Sequence, residues 1–321
     1  MHRPSLVLVT PALASANNGN WQTAKRWSQL LSDDYRVRVA ERWGGGDEAL
    51  LIALHARRSA ASVAAWRAAH PRRPLLLALT GTDLYRDIAV DAPAQVSIEA
   101  ADRLVVLQAL GRQALPAHLR RKAVVIVQSA PTRQTVDKTG RHLRALMVGH
   151  LRDEKDPLTL MRAARLLSAR DDILVDHIGG ALDPALADAA RRTMADCPHY
   201  RWLGARPHAE TRRRIQHAHV LVHASRLEGG AHVVIEAVAS GTPVLASRID
   251  GNLGLLGRGY RGVFEPGDAA GLAALLQRCR DEPAMLARLQ GQCARRAPLF
   301  EPARERSTLL RLVDSLMNRS R

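Results

Sequence analysis

The segment Ser225-Arg-Leu-Glu228-Gly-Gly-Ala-His-Val-Val-Ile-Glu236-Ala-Val-Ala-Ser-Gly241-Thr-Pro243-Val-Leu-Ala-Ser247 decides the fold. Two glutamates flank a Gly-Gly pair, and the second lies in an apolar run typical of a helix. A Gly-Thr-Pro turn then leads into a short apolar strand, Val244–Ala246. This order of loop, helix, turn and strand predicts an α/β unit.

The Gly-Gly loop has the chemistry of a ligand site. Small residues let backbone N–H groups approach a ligand, and a helix N-terminus favours anions. We predict Glu228 in the loop and Glu236 about two turns into the helix, on nearly the same face. Two carboxylates at one crevice suit sugar and ribose hydroxyls. An amphipathic helix with two solvent glutamates is the alternative, but it explains neither the glycines nor the following strand.

The composition fits a two-domain α/β protein. Of 321 residues, 46% are hydrophobic but only 3% aromatic, as expected for parallel sheets covered by helices. A formal charge of +16 is typical of proteins that bind nucleic acid or an acidic membrane surface. Because the basic residues, nearly all arginines, are spread along the whole chain, we expect no dedicated nucleic-acid binding.

Other sequence features exclude several classes. Cys197, Cys279 and Cys293 show no CxxC or His-Cys spacing, so neither a disulfide framework nor a zinc site is predicted. No run of 18 apolar residues exists, so we expect no stable membrane insertion. Residues 6–16 superficially mimic a signal peptide, but Thr10-Pro11 breaks the apolar run and a buried strand fits better. We therefore expect a cytoplasmic protein.

Two α/β series follow one another along the chain. In the first, the predicted strands are Leu6–Thr10, Val37–Ala40, Ala49–His55, Pro74–Thr80, Arg103–Leu107 and Ala123–Gln128, and the predicted helices include Trp21–Leu31 and Ser59–His70, with Ser59 as N-cap. The polar segment 131–142 is predicted to be a linker. In the second, the predicted strands are Arg144–Gly149, Ile173–Gly179, Tyr200–Leu203 and Val220–His223, and the predicted helices are Pro157–Ala169, Pro184–Met194, Asp268–Leu289 and Pro302–Met317.

The segment 225–247 resembles the E-x7-E signature of family 4 glycosyltransferases, GT-B enzymes that use nucleotide sugars. Ser225, the Gly-Gly pair, Glu236-Ala237 and Gly-Thr-Pro fall where that family has them. The resemblance implies two doubly wound Rossmann-like domains facing a central cleft. An acceptor-binding domain would span residues 1–135 and a nucleotide-sugar-binding domain residues 143–301, with residues 302–321 packing back on the first. No Asp-x-Asp motif follows a strand, so we expect no metal and no other cofactor.

The resemblance also implies a donor site. Gly149-His150-Leu-Arg-Asp-Glu-Lys155 is similar to the family's G-R-L-x-x-x-K-G segment, whose Arg and Lys neutralise the diphosphate. His150 replaces that Arg, which would make leaving-group stabilisation depend on pH. Glu236 is expected to bind the ribose, and the expected catalytic residues are Glu228, Lys155 and His150. The remaining expected donor contacts are Gly179, Gly180, Ser225, Gly229, Gly230, Ala231 and Asn252, the last in a loop after strand Val244–Ala246.

The first domain has an unusual acceptor segment. Thr80-Gly81-Thr82-Asp83 stands where many family members have His-Gly-Thr-Asp. Alcohol acceptors benefit from proton removal, whereas an anionic acceptor would not need that His. The predicted acceptor residues are Asn18, Gly19, Asn20, His55, Arg57, Arg58, Ser59, Thr80, Thr82 and Asp83. Two alternatives stay open: Asp83 orients the acceptor or caps a turn, and Arg57 and Arg58 bind an anion or are solvated.

Together these motifs resemble one subgroup of the family, the selenosugar synthases of selenoneine biosynthesis. That resemblance implies UDP-N-acetylglucosamine as donor and selenophosphate as acceptor, giving 1-seleno-N-acetylglucosamine, UDP and phosphate. Handover of selenophosphate from the enzyme that produces it is a further expectation. The alternatives are a conventional family 4 glycosyltransferase with a sugar, thiol or lipid-carrier acceptor, and a binding protein without catalysis.

Overall fold

The structure is a computed structural model that describes residues 3–13 and 19–318. Asn18, an expected acceptor residue, lies outside these ranges. The strands are β1 (Ser5–Val9), β2 (Arg36–Ala40), β3 (Leu50–Leu54), β4 (Leu75–Leu79), β5 (Arg103–Val106), β6 (Ala123–Val125), β7 (Leu143–Val148), β8 (Ile173–Ile178), β9 (Tyr200–Trp202), β10 (Val220–His223), β11 (Val244–Ser247) and β12 (Val263–Phe264). The helices are α1 (Gly19–Leu31), α2 (Ala60–Ala69), α3 (Ile88–Val90), α4 (Ala92–Ala100), α5 (Pro157–Leu166), α6 (Pro184–Asp196), α7 (His208–His217), α8 (His232–Val238), α9 (Asp250–Leu256), α10 (Ala269–Asp281), α11 (Pro283–Arg296) and α12 (Pro302–Met317).

The described chain divides into two compact units. The first contains the residues up to Ser129, the loop Glu228–Gly230 and the segment from Pro302 onward. The second contains Ala130–Leu227 and Ala231–Glu301. The first domain was predicted to end at residue 135, whereas residues 130–135 group with the second unit. Their backbone is tied there, since Arg133 N–H donates to the Ala239 carbonyl at 2.8 Å.

The first unit is a six-stranded parallel sheet in the order β2-β1-β3-β4-β5-β6. Its central strands are apolar on both faces, as expected when helices cover both sides. In β1 the side chains alternate, so Val7 and Val9 enter one core cluster while Leu6 and Leu8 enter the other. Helix α12 contributes Leu309, Leu312, Val313 and Leu316 to the second cluster. The chain returns to this unit through α12.

The second unit is also a six-stranded parallel sheet, in the order β12-β11-β10-β7-β8-β9. The chain starts at the centre with β7, moves outward through β8 and β9, and then crosses to β10 on the other side of β7. The order therefore reverses between β7 and β10, and in doubly wound sheets ligands bind at the carboxyl ends of the strands at such a point. The prediction of two doubly wound α/β units is confirmed.

The structure corrects some predicted elements. Residues 268–289 were predicted as one helix, but α10 ends at Asp281 and α11 begins at Pro283. Proline has no N–H to continue a helix, and Glu282 before it is extended, at φ −115° and ψ 91°. Helices α3, α4, α7 and α9 and strand β12 were not predicted. Strand β6 ends three residues before the predicted Gln128.

Candidate active site

The carboxyl ends of β7 and β8 bring His150 and Gly180 together. Gly180 N–H donates to His150 Nδ1 at 3.0 Å, so the neutral ring carries its proton on Nε2. Partial burial, together with the charges of Arg152 and Lys155, lowers the pKa of His150 below its ordinary value. His150 is therefore neutral at pH 7 and offers one N–H donor at this edge.

Gly179 is needed for packing within the unit. A Cβ there would lie 1.8 Å from the Gly149 carbonyl oxygen, so no other residue fits without moving the backbone. The sequence predicted a close approach of this glycine to the nucleotide; in the structure it joins the two loops that follow β7 and β8. Trp202 Nε1 donates to the Gly179 carbonyl at 2.8 Å and stabilises the same edge.

His177, on β8, was not anticipated as part of this edge. Its Nε2 lies 3.0 Å from the Gly149 carbonyl oxygen and its Nδ1 lies 3.2 Å from the Tyr200 hydroxyl. Complete burial lowers the pKa of His177 to about 4, against the opposing effect of the Gly149 carbonyl. The neutral ring therefore braces the loop that carries His150. A histidine inside an apolar strand pattern was the available signal.

Lys155 lies beside the same loop. It ends a 3₁₀ turn, Asp153–Lys155, and is half-buried. A Cβ on Gly149 would lie 3.4 Å from Lys155 Cγ and Cδ, so the lysine stem packs along Gly149. Arg226, which follows β10, donates its N–H to the Glu154 carbonyl at 2.9 Å, and its Nε lies 3.3 Å from Asp156 Oδ2. The loops after β7 and β10 therefore meet at the switch point.

Glu236 is buried in α8 among three basic side chains. Its Oε1 accepts a hydrogen bond from His208 Nε2 at 2.7 Å and lies 3.5 Å from both Arg212 Nη1 and His232 Nδ1. Burial opposes ionisation, but hydrogen bonds from His208 and His232 and the charges of His232 and Arg212 outweigh it. The pKa of Glu236 therefore lies well below its ordinary value. His208 and Arg212, four residues apart on α7, were not predicted.

The expected relation between Glu228 and Glu236 does not hold. Glu236 is the fifth residue of α8, one turn rather than two from its start, and Glu228 precedes the helix in a loop. The helical repeat therefore says nothing about Glu228, which groups with the first unit. In that unit, a Cβ on Gly229 would lie 2.6 Å from Gly81 N and one on Gly230 2.6 Å from Leu107 Cβ. The glycines permit this packing.

Ser225 and Asn252 hold strand ends of the second unit together. Asn252 was predicted in a loop, but it lies in α9 and is fully buried, as is Ser225. Asn252 Nδ2 donates to the Ser247 carbonyl at 2.9 Å, and Ser247 Oγ donates to the Ser225 carbonyl at 2.5 Å. These bonds join the ends of β10 and β11. Ala231 is likewise buried, at the N-cap position of α8.

In the first unit, Asp83 fixes the segment that follows β4. Its fully buried carboxylate accepts hydrogen bonds from Ala56 N–H at 3.0 Å, Thr80 N–H at 3.0 Å and Gly81 N–H at 2.7 Å. It opens a π-helical turn, Asp83–Asp87. The observed bonds are those of a turn cap, which leaves Thr80 and Thr82 partly exposed at the strand end.

His55, directly after β3, places an imidazole near this segment. It has left-handed backbone, with φ 73°, and is buried. Its Nδ1 accepts from Arg58 N–H at 3.4 Å, and its Nε2 lies 3.4 Å from Thr82 Oγ1 and 3.8 Å from Asp87 Oδ2. Burial lowers the pKa of His55 despite Asp83. An imidazole is thus present at the strand end, although not at position 80.

The other expected acceptor residues differ in availability. Arg57 Nε is paired with Asp87 at 3.1 Å. The exposed Arg58 guanidinium makes no hydrogen bond or ion pair with the residues that the structure describes. Ser59 occupies the predicted N-cap position of α2, although its hydroxyl donates to the Leu54 carbonyl at 2.6 Å and does not accept from a helix N–H. Gly19 and Asn20 form the start of α1.

Two further observations concern residues 3–13 and 19–318. There, no three His, Cys, Asp or Glu side chains are grouped as a metal site would require. Within the same ranges, no helix has both the length and the apolar character needed to cross a membrane. Cys197, Cys279 and Cys293 are buried free thiols.

Solved glycosyltransferase structures share this fold. Sucrose-phosphate synthase from Thermosynechococcus elongatus aligns with a TM-score of 0.75 at 18% identity, over 99% of this chain and 100% of that one. Anabaena HepE in complex with UDP-glucose aligns with a TM-score of 0.79 at 14% identity, over 98% and 100%. The two units together therefore define a GT-B fold.

The family follows from the sequence comparison. Residues 129–296, more than half of the chain, match the glycosyl transferases group 1 family, and the chain belongs to that family. The D-inositol 3-phosphate glycosyltransferase of Streptomyces avermitilis is 34% identical over 169 residues, which are 48% of this chain and 36% of that protein. The Streptomyces coelicolor protein of the same name is 33% identical over the same shares. The chain thus spans about a third of the length of these relatives.

Proposed function

We propose that this protein is a glycosyltransferase that takes a sugar from a UDP-sugar bound by its second unit. The observation that carries the proposal is the meeting of the β7, β8 and β10 loops at the switch point, within the family-matching segment. There His150 contributes a neutral N–H donor and Lys155 a cation for the diphosphate leaving group. HepE, of the same fold, is described in complex with UDP-glucose.

In this proposal Glu236 accepts hydrogen bonds from the ribose hydroxyls. Its low pKa keeps it ionised, and an ionised carboxylate accepts hydrogen bonds without donating any. It is held in place by His208, Arg212 and His232. Burying these charged groups costs free energy, and a helix with a purely structural role would not require a buried carboxylate. Glu228, with the Gly229 to Ala231 amides, would hold the donor sugar. Transfer itself requires no metal or cofactor.

The acceptor in the finer form of the proposal is selenophosphate, with UDP-N-acetylglucosamine as donor. Selenium attacks the anomeric carbon, the bond from that carbon to the UDP oxygen breaks, and water then cleaves the P–Se bond to release phosphate. Because selenophosphate is already an anion, no general base is needed, in keeping with Thr80 at the position of the family histidine. The Arg58 guanidinium, which has no partner among the described residues, supports an anionic acceptor. The expectations of a cytoplasmic location and of a handover partner remain predictions.

A conventional family 4 transfer to a sugar, thiol or lipid carrier is the second candidate. One observation favours it: His55 and Asp87 place an imidazole and a carboxylate 3.8 Å apart near Thr82, as proton removal from a hydroxyl would require. The named acceptor of the curated relatives, D-inositol 3-phosphate, has both hydroxyls and a phosphate. The residues around Arg58 suit the phosphate of either acceptor.

The proposal is tested by anaerobic incubation with UDP-N-acetylglucosamine and selenophosphate, followed by mass spectrometry. We expect UDP together with a sugar that carries the selenium isotope pattern, both absent when selenophosphate is omitted. If UDP appears only with hydroxyl acceptors such as inositol 3-phosphate, the conventional transferase is correct. If no UDP-sugar is consumed with any acceptor, the protein is not a UDP-sugar transferase.

A further inference from the structure

A cavity of about 370 Å³ opens on one face of the second unit's sheet. Residues within three neighbouring strands line it, rather than the residues that follow those strands. They are Arg144 and Leu146 on β7, Asp176 on β8 and Arg201 on β9. The proposed donor residues, which lie after the strands, do not contribute to it.

The strand register explains the polar floor of this cavity. Leu146 pairs with Asp176 and Asp176 with Arg201, so these side chains form one row across the sheet. Asp176 is buried and accepts from Arg144 Nη1 at 2.9 Å and from Arg201 Nε at 2.8 Å. Interior strands of parallel sheets are normally apolar on both faces. Here the Asp176 carboxylate is instead shared by two guanidinium groups, that of Arg201 in the same row and that of Arg144, two residues before Leu146 on β7.

Helix α7 forms the opposite wall. Glu210, Arg213, Arg214 and His217 line the cavity, and their spacing of three and four residues puts them on one face of the helix. Glu210 is engaged by Arg214 at 2.9 Å. Arg213 and His217, both exposed, have no hydrogen-bond or ion-pair partner within residues 3–13 and 19–318.

The charges around the cavity do not balance. Four arginines face two carboxylates, and both carboxylates are already paired with arginines. The surplus is two positive charges, carried by groups with forked N–H donors that suit phosphate oxygens. Seven of the eight residues that line the cavity carry a charged or titratable side chain, and the eighth is Leu146.

We propose that this cavity is a second ligand site, which binds the phosphate dianion of a small phosphorylated metabolite. Arg213, Arg201 and His217 would contact the phosphate, and the two surplus charges match its charge. The volume lies at the lower end of the range of small-molecule pockets, about 300–1,000 Å³, and exceeds the needs of a lone phosphate ion. The inference does not depend on the proposed transferase activity, because it uses none of the donor or acceptor residues.

The test is calorimetric titration of the full chain with inorganic phosphate and, separately, glucose 6-phosphate at constant ionic strength. The double variant Arg213→Gln/His217→Gln removes the two unpaired groups. Arg192→Gln is the matched control, since Arg192 is an exposed α6 arginine without a partner in the described chain. Arg58→Gln reports phosphate binding at the proposed acceptor site. We expect the double variant to bind at least tenfold more weakly and Arg192→Gln to keep the wild-type affinity.

Several results would overturn the proposal. One is that neither probe binds at 10 mM, roughly the weakest affinity of interest. Another is that Arg192→Gln loses as much affinity as the double variant, which would indicate diffuse attraction to a basic surface. Loss only in Arg58→Gln would assign the ion to the acceptor site. Tighter binding of glucose 6-phosphate than of phosphate is the expected result, and equal binding would overturn the assignment to a phosphorylated metabolite. Should the double variant not fold, the two single substitutions at 213 and 217 make the same comparison.

Discussion

Replacing Glu236 by glutamine is expected to destabilise the second unit as well as weaken donor binding. The substitution keeps the shape of the side chain but removes its charge. The amide oxygen can still accept from His208, which is 2.7 Å away in the wild type. Arg212, however, is also buried and loses the Glu236 carboxylate that lies 3.5 Å from its Nη1. The loss therefore comes from an uncompensated buried guanidinium.

The size of the effect follows from that burial. Breaking a buried ion pair from one side costs about 3–5 kcal/mol, and the retained His208 hydrogen bond puts this case near the lower value. For domains of 150–250 residues, each kcal/mol lowers Tm by about 2–4 °C. We therefore expect Glu236→Gln to lower the Tm of the second unit by about 6–12 °C.

Thermal unfolding by circular dichroism and calorimetry measures this change, and Glu210→Gln is the matched control. Glu210 also pairs with an α7 arginine, Arg214, but at a half-exposed site. Its i,i+4 pair is worth about 0.3–0.5 kcal/mol, so its Tm should fall by no more than about 2 °C. Equal Tm shifts for the two variants would refute the reasoning.

The buried Glu236 carboxylate also predicts a pH dependence of the stability. Because the folded pKa of Glu236 lies below its unfolded value of 4.5, ionisation stabilises the folded state above pH 4.5. That stabilisation is lost as pH falls from 4.5 through the folded pKa. The stability difference between wild type and Glu236→Gln should therefore shrink as the pH falls below 4.5. A difference that does not change with acidification would contradict the assignment.

Three further predictions concern loops at the strand ends. Gly179→Ala should lower the free energy of unfolding by about 3 kcal/mol or prevent folding, because its Cβ would meet backbone at 1.8 Å. In the same denaturant titration Gly180→Ala, whose Cβ would face His150 Nδ1 at 3.3 Å, should cost less than half as much, and similar costs would contradict the packing role of Gly179. Asp83→Asn should cost about 2–3 kcal/mol, since its amide N–H₂ would face backbone donors, while Asn for the helix-capping Asp91 should be nearly neutral. The affinity for UDP-N-acetylglucosamine should be constant from pH 7 to 8 and rise below pH 6.5 as His150 gains charge. The His150→Arg variant should bind equally at all these pH values. A wild-type affinity that does not change with pH would remove His150 from the diphosphate site.

Most of the fold was predictable because the strands of a parallel sheet appear in the sequence as short apolar runs. Strand Val220–His223 and helix Pro302–Met317 were predicted with their observed ends, and the other predicted strand ends mostly moved by one or two residues. Helix α7 was missed because its sequence, His-Ala-Glu-Thr-Arg-Arg-Arg-Ile-Gln-His, has almost no apolar stripe. The ion pair between Arg212 and Glu236 holds the buried face of this helix, and the periodicity of apolar residues in the sequence does not reveal such an ion pair.

The site was less predictable, because motif residues serve packing as well as ligands. Gly179 and Gly230 were predicted to contact a nucleotide or sugar, which stays a prediction, and the structure shows that each also accommodates another part of the chain. Asn252 looked like a loop residue, yet a buried hydrogen bond to Ser247 holds it in α9. Conversely, His177 and His208 stabilise the edge and the carboxylate without belonging to a motif. Spacing identifies which residues are special, and only the packing shows what each one contacts.

Calorimetric titration of UDP into wild type, Lys155→Ala and Arg58→Gln tests the central claim most directly. A UDP site at the switch point of the second unit predicts micromolar binding that Lys155→Ala weakens by about 10- to 100-fold, the loss of one charged hydrogen bond of about 1.5–3 kcal/mol. It predicts no change for Arg58→Gln, whose side chain belongs to the first unit. Absence of UDP binding by the wild type, or equal affinity in Lys155→Ala, would contradict the assignment of the donor site.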